Sequence, residues 1–174
     1  MAYRVGAGVL ASAAAGKEVA FRRIIAEHQD DMRRVATVVA GDRVLAEEAT
    51  QAAWLRAWRK IGTVRDEAHL RPWLVSIAAN EAKRVLRNRR RRAEVEVGID
   101  VTGQPGGVDP ATGVSAMDLN AALNRLSPDD RALLAMRYVA GFDSNELSAA
   151  LGISPSGVRN RLERLRTRLK QELE

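Results

Sequence analysis

Between residues 17 and 39 the apolar positions recur with a helical period. Phe21, Ile24, Ile25, His28, Met32, Val35, Ala36 and Val39 fall on one face of a long amphipathic helix. Gly41 is placed to stop that helix and Asp42 to cap the next one. Residues 43–61 repeat the pattern through Leu45, Ala49, Ala52, Trp54, Leu55 and Trp58, and Gly62 closes it. A polar connector, 63–71, leads to Pro72, a residue suited to the first turn of a helix. Trp73, Leu74, Ile77, Ala78, Ala82 and Val85 then share a face, and the helix, read as 72–92, ends in a run of arginines.

The pattern disappears over residues 97–117. That stretch holds five glycines and two prolines, and its charges are Asp100 and Asp109 alone. Such a segment reads as a flexible linker. Helices resume near Asp118 with the stripe Leu119, Ala122, Leu123 and Leu126. Ser127, Pro128 and Asp130 form a helix start, with a serine cap, proline at the first position and an acid at the third. Leu133, Leu134, Met136 and Val139 follow, up to Gly141. Asp143 and Glu146 have capping-box spacing, and Gly152 stops the short helix they open. Ser154 and Pro155 start the last helix, whose inward face is Val158, Leu162, Leu165 and Leu169. At the other end, residues 1–17 are rich in alanine and glycine and read as a disordered tail. The chain is expected to be all-α: two small helical domains, 18–96 and 118–174, joined by the flexible linker 97–117.

Composition narrows the chemistry. The 174 residues contain no cysteine, which excludes a disulfide scaffold, a cysteine nucleophile and a thiolate metal site. Two distant histidines, His28 and His69, offer no His-based metal centre. No metal or cofactor is expected, and no stretch reaches the length a membrane helix needs. The net charge is +6 and its placement matters more than its size. Residues 83–92 hold seven basic side chains and no acid, and residues 159–170 hold six against Glu163. The remaining 15 basic residues face 21 acidic ones. The positive surplus therefore sits on two helices, one per domain, as two contacts with one nucleic acid would require. Either run alone also fits a solvated helix end, where cations meet the negative end of the dipole.

Residues 143–169 have the spacing of a helix-turn-helix. Leu147 and Leu151 anchor the first helix, Gly152 allows the turn, Ile153 fills the corner, and Val158 and Leu162 anchor the second helix. The free face of the second helix carries Ser156, Arg159, Asn160, Glu163, Arg164 and Thr167. In a major groove, arginine bonds guanine, asparagine bonds adenine and glutamate accepts from cytosine. Ser154 and Ser156 at the helix start suit a phosphate. A plain helical hairpin shares part of this spacing. In the first domain, Asn80, Lys83, Arg84, Arg87 and Arg91 recur at three- and four-residue steps, opposite Trp73, Ile77, Ala78 and Val85.

These segments, in this order, resemble the bacterial RNA polymerase sigma factors of the extracytoplasmic-function group. Residues 46–60 (AEEATQAAWLRAWRK) are similar to the segment that binds the polymerase clamp. Residues 70–84 (LRPWLVSIAANEAKR) are similar to the helix that reads and melts the −10 element, and 133–169 to the domain that reads the −35 element. The resemblance implies a cytoplasmic, non-enzymatic protein that binds core RNA polymerase, through its clamp and flap, and promoter DNA. It also implies an anti-sigma partner. It assigns Glu47, Glu48, Gln51, Trp54, Leu55 and Trp58 to polymerase. Asn80, Lys83, Arg84, Arg87 and Arg91 go to the −10 element, with Trp73 as wedge or core. Ser154, Ser156, Arg159, Asn160, Glu163 and Arg164 go to the −35 element. The connector 64–70 is similar in position to the loop that captures a flipped base. Departures from the family pattern are Ala52 after Gln51, Ala79 before Asn80, Arg84 where an aspartate is common, Ser144 and Ser148. A free-standing helix-turn-helix regulator is the alternative; an enzyme acting on nucleic acid lacks an acid pair, a His cluster or a phosphate loop in strand-to-helix context.

Overall fold

The computed structural model describes residues 7–95 and 114–173, and all regular structure among them is helical. The elements are α1 (Ala7–Ala14), α2 (Glu18–Ala40), α3 (Arg43–Lys60), α4 (Leu70–Val95), α5 (Val114–Asn124), α6 (Pro128–Leu134), α7 (Ser144–Leu151) and α8 (Pro155–Leu173). Short 3-10 turns, Ile61–Thr63 and Glu67–His69, join α3 to α4, and a wide π-turn, Ala135–Val139, extends α6.

Several of the stops and caps read from the sequence are found, whereas α3 ends at Lys60, before Gly62, and α4 begins at Leu70, two residues before Pro72, and runs to Val95. Gly41 ends α2 in the left-handed conformation, φ 65°, and the Asp42 carboxylate caps α3 by accepting from the Leu45 amide at 2.9 Å. Ser127 caps α6 through the Asp130 amide, with Pro128 as the first helical residue. Asp143 and Glu146 form a complete capping box at α7.

Two expectations about the chain's loose segments are corrected. Within the supposed tail 1–17, residues 7–14 form α1, because Leu10 and Ala13 are buried against Phe21, Ile61 and the rest of the first core. Composition hides this: a helix of small residues needs just one leucine and a close approach to seal a core edge. Within the supposed linker, residues 114–117 already belong to α5. Residues 1–6 and 96–113 lie outside the described residues, and with them most of the linker.

The apolar interior has two parts. One lies inside the first unit, among α1, α2, α3 and α4, around Phe21, Ile24, Met32, Trp54, Leu70 and Leu74. The other is continuous across both units: Val35, Val39, Val75, Ala79, Ala82 and Val85 pack with Leu133, Met136, Phe142, Leu147, Val158 and Leu162. The expected separate domains therefore share a core in this arrangement. Polar ties accompany it. Arg71 donates from Nε to Asp31 of α2 at 2.8 Å and from Nη2 to the Ala140 carbonyl at 2.7 Å. Lys83 of α4 bonds Asp129 of α6 at 3.0 Å.

Arg131 is buried at the junction, holds Asn124 Oδ1 at 2.9 Å, and lies beside the C-terminal end of α2, whose dipole favours a cation. Burial, with Arg90 nearby, lowers its pKa from the usual arginine value. Gly41 is what lets this junction close, since a Cβ there would stand 2.1 Å from Asn124 Oδ1 and 2.8 Å from Arg131 Nη1.

Gly152 has the same left-handed φ, 68°, but open space around it. Gly152→Ala is therefore expected to cost about 1 kcal/mol of backbone strain. Gly41→Ala should cost more, because it also displaces Asn124 from Arg131. Urea unfolding of the two variants side by side checks the ordering.

Candidate nucleic-acid and polymerase interface

Three surfaces are built on this scaffold. The first is the outer face of α8. Val158, Leu162 and Leu165 are buried, which fixes the helix rotation and turns Arg159, Asn160, Glu163 and Arg164 outward, all exposed. Arg161 on the flank bonds Asp130 of α6 at 2.8 Å and holds α8 to its support. At the N-terminus Ser154 Oγ accepts from the Gly157 amide at 3.1 Å and lies 3.1 Å from Ser156 Oγ. Both serines are exposed there, so the first turn offers hydroxyls and the positive end of the dipole together. The turn between α7 and α8 has a lock that spacing alone did not reveal: Ser148 Oγ donates to the Ile153 carbonyl at 2.6 Å. The serine that departs from the family pattern thus pins the corner instead of merely fitting it.

The second surface is one stripe of α4. Asn80, Arg84, Arg87 and Arg91, at steps of four, three and four, are exposed. Asn80, Arg87 and Arg91 have no side-chain partner among the described residues. Lys83 leaves the stripe. It is turned toward the second unit, one-fifth exposed, and bonded to Asp129. The helical period explains the correction: residue 83 lies about 100° from 84, on the side that carries Ala79 and Ala82 into the shared core. Trp73 is half-buried against the first core, as its position also allowed. In the connector before α4, Asp66 accepts from the Ala68 amide at 3.0 Å, and Glu67 Oε1 is buried without a hydrogen-bond partner.

The third surface runs along α3. Glu47, Glu48 and Gln51 are exposed, as is Leu55 at 61%. Trp58, 39% exposed, rests its ring edge-on to Phe21 with centroids 4.9 Å apart. Val44, 76% exposed and missed in the sequence reading, extends the stripe by one turn. Apolar residues left in water beside unpaired acids mark a surface for a protein partner. Trp54 does not belong to it. Its indole is buried in the core, T-shaped to Phe21 at 5.8 Å, so it supports the stripe from beneath. Its Nε1 is buried without a partner. Alternation along a helix cannot tell which of two tryptophans four residues apart points inward; the packing of the first core around Trp54 does.

Comparison with known proteins identifies the family of this fold. Residues 24–92 match sigma-70 region 2, and residues 116–169 match sigma-70 region 4. A probable RNA polymerase sigma factor, RfaY of Xanthomonas campestris pv. campestris, is 30% identical over 94% of this chain, which spans 43% of that protein's length. RNA polymerase sigma factor CarQ of Myxococcus xanthus is 29% identical, with 91% of each chain covered. The extracytoplasmic-function sigma factor SigL of Mycobacterium tuberculosis is 29% identical, with 88% of each covered. Two solved structures share the fold. One is RpoE of Bartonella quintana in complex with the anti-sigma factor NepR, with a TM-score of 0.75, 24% identity, and 88% and 96% coverage. The other is CnrH in complex with the cytosolic domain of CnrY, with a TM-score of 0.70, 22% identity, and 95% and 94% coverage. The chain belongs to the sigma-70 family of RNA polymerase sigma factors, in its extracytoplasmic-function group. No helix among the described residues is long and apolar enough to cross a membrane.

The inside and outside of α3 make separable predictions. Trp54→Ala should destabilise the fold by about 3–5 kcal/mol through the cavity it leaves. Leu55→Ala should change stability by less than about 0.5 kcal/mol while weakening capture by core polymerase. Chemical denaturation and a pull-down on the same preparations read the two effects.

Proposed function

We propose that the three surfaces divide the work of promoter-specific initiation. The α3 stripe of Val44, Glu47, Glu48, Gln51, Leu55 and Trp58 docks on the polymerase clamp. The α4 stripe of Asn80, Arg84, Arg87 and Arg91 reads and helps open the −10 element. The outer face of α8 reads the −35 element in the major groove, and the second unit also meets the flap. The observation that carries this reading is the coexistence of two exposed, predominantly cationic helix faces with an exposed apolar-acidic stripe on a third helix. A free-standing regulator would need the first two and would have no use for the third.

The chain itself does no bond chemistry in this scheme. Strand opening costs a few kcal/mol per unstacked base, and capture of extruded bases by α4 and the connector before it offsets that cost. An anti-sigma partner fits the same picture, because RpoE was solved with the anti-sigma factor NepR. A protein that covers either cationic face or the α3 stripe would silence this chain.

The closed arrangement limits DNA binding. Asp129 occupies Lys83 as a phosphate would, and the shared core holds the two units together. Lys83 is freed as a further cation on the flank of the −10 stripe once the units part.

Run-off transcription with core polymerase tests the function: a promoter-specific transcript is expected, and a chain that binds a palindromic site tightly without polymerase and never stimulates it is the free-standing regulator instead. Arg159→Ala or Arg164→Ala should each lose about 1–3 kcal/mol of −35 discrimination, read by base substitution across that element. Asp129→Ala should raise promoter-complex formation by freeing Lys83, measured by filter binding of the assembled holoenzyme.

A further inference from the structure

Glu81 follows Asn80 directly, yet it points the other way. Its side chain is 3% exposed. A carboxylate this deeply placed is costly unless each oxygen is satisfied. Both are. Glu81 Oε1 accepts from Arg56 Nε of α3 at 2.9 Å, and Oε2 accepts from Arg84 Nε of α4 at 2.6 Å. The two arginines are about half exposed, so their guanidinium groups run from the buried carboxylate out to water.

This arrangement has a geometric consequence. Arg84 spends its Nε edge on Glu81, and with its side chain about half exposed its Nη groups have no partner among the described residues on the stripe that holds Asn80, Arg87 and Arg91. A long, flexible side chain is thereby held in one orientation before DNA arrives, and the ordering entropy is not lost again on binding. Through Arg56, the neighbour of Leu55, the same carboxylate ties the DNA-facing helix to the helix that carries the clamp stripe. We propose that Glu81 is a positioning residue: it presents Arg84 end-on to the −10 element and sets that presentation relative to α3. The proposal rests on the assignment of the α4 stripe to the −10 element.

The sign of the effect separates positioning from simpler roles. Removing a carboxylate from a cationic helix makes the surface more positive, and electrostatics alone would then strengthen binding to any DNA. A purely structural salt bridge would lower thermal stability and leave base discrimination as it was. Positioning requires −10 discrimination to fall while affinity for unrelated DNA holds or rises.

The test uses the full chain assembled with core polymerase. Glu81→Gln keeps the shape of the side chain and one acceptor oxygen; Glu81→Ala removes both. Arg84→Ala and the Glu81→Gln/Arg84→Ala double variant complete a cycle. Each holoenzyme is given promoters with a base-substituted −10 element, promoters with a base-substituted −35 element, and unrelated duplex DNA. The melting temperature of each free chain is taken in parallel.

Glu81→Gln is expected to lose about fivefold to tenfold in −10 discrimination, the scale of one well-held arginine contact. It should lose nothing at −35 and nothing on unrelated DNA. The double variant should discriminate no worse than Arg84→Ala alone. If Glu81→Gln lowers only the melting temperature, or if its loss adds fully to that of Arg84→Ala, Glu81 does not act through Arg84 and the proposal is overturned. Should Glu81→Ala fail to fold, Glu81→Gln and the cycle still decide. A wild-type chain indifferent to the −10 sequence would overturn the stripe's assignment itself, and is recognised because it fails before any variant is compared.

Discussion

Helix α4 has to serve two masters with one cylinder. Its inner side carries Leu74, Ile77 and Ala78 into the first core and Val75, Ala79, Ala82 and Val85 into the core shared with the second unit. Its outer side is polar and cationic, the character proposed to meet DNA. A 3.6-residue period leaves about one stripe free after two apolar faces are satisfied, and Asn80, Arg84, Arg87 and Arg91 occupy it. Most other features follow. The alanines at 78, 79 and 82 let neighbours approach from both sides, and Lys83 is drawn into the junction because it falls at the boundary. Glu81 can be buried because two arginines reach it from different helices.

The shared core makes the closed arrangement a state with something to lose. Separating the units opens the core that contains Val75, Val85, Leu133 and Met136 and strands Arg131, whose companions at the junction are Asn124 and the end of α2. Apolar surface of this kind is worth roughly 25 cal/mol per Å² removed from water. In the proposed open state, contacts with polymerase and DNA compensate for that loss. Under that proposal, partner binding and promoter binding become mutually dependent.

Much of the architecture was legible in the chain. Caps are local chemistry: Asp42, Ser127, and the Asp143–Glu146 box act on amides two or three residues away. The helix-turn-helix was legible because Leu147, Gly152, Val158 and Leu162 specify a packing geometry within twenty residues. The outward face of α8 followed from the burial of its seam. Other features were hidden. The sequence showed α1 as alanine and glycine, since a single leucine does not announce a helix. It showed Trp54 and Trp58 as equals, and it showed Lys83 and Arg84 as neighbours in one cationic run.

Periodicity and capping determined, from the sequence alone, that this protein is helical, where most helices begin and end, and that its positive charge sits on two of them. Those properties depend on interactions within a few residues, so one chain read in order contains them. The tertiary structure decided which side of each helix is spent: Trp54 inward and Leu55 outward, Lys83 on Asp129, Glu81 between Arg56 and Arg84. The contacts Trp54–Phe21, Lys83–Asp129 and Glu81–Arg56 each join residues 25 or more positions apart, brought close by burial of apolar surface that no local pattern encodes.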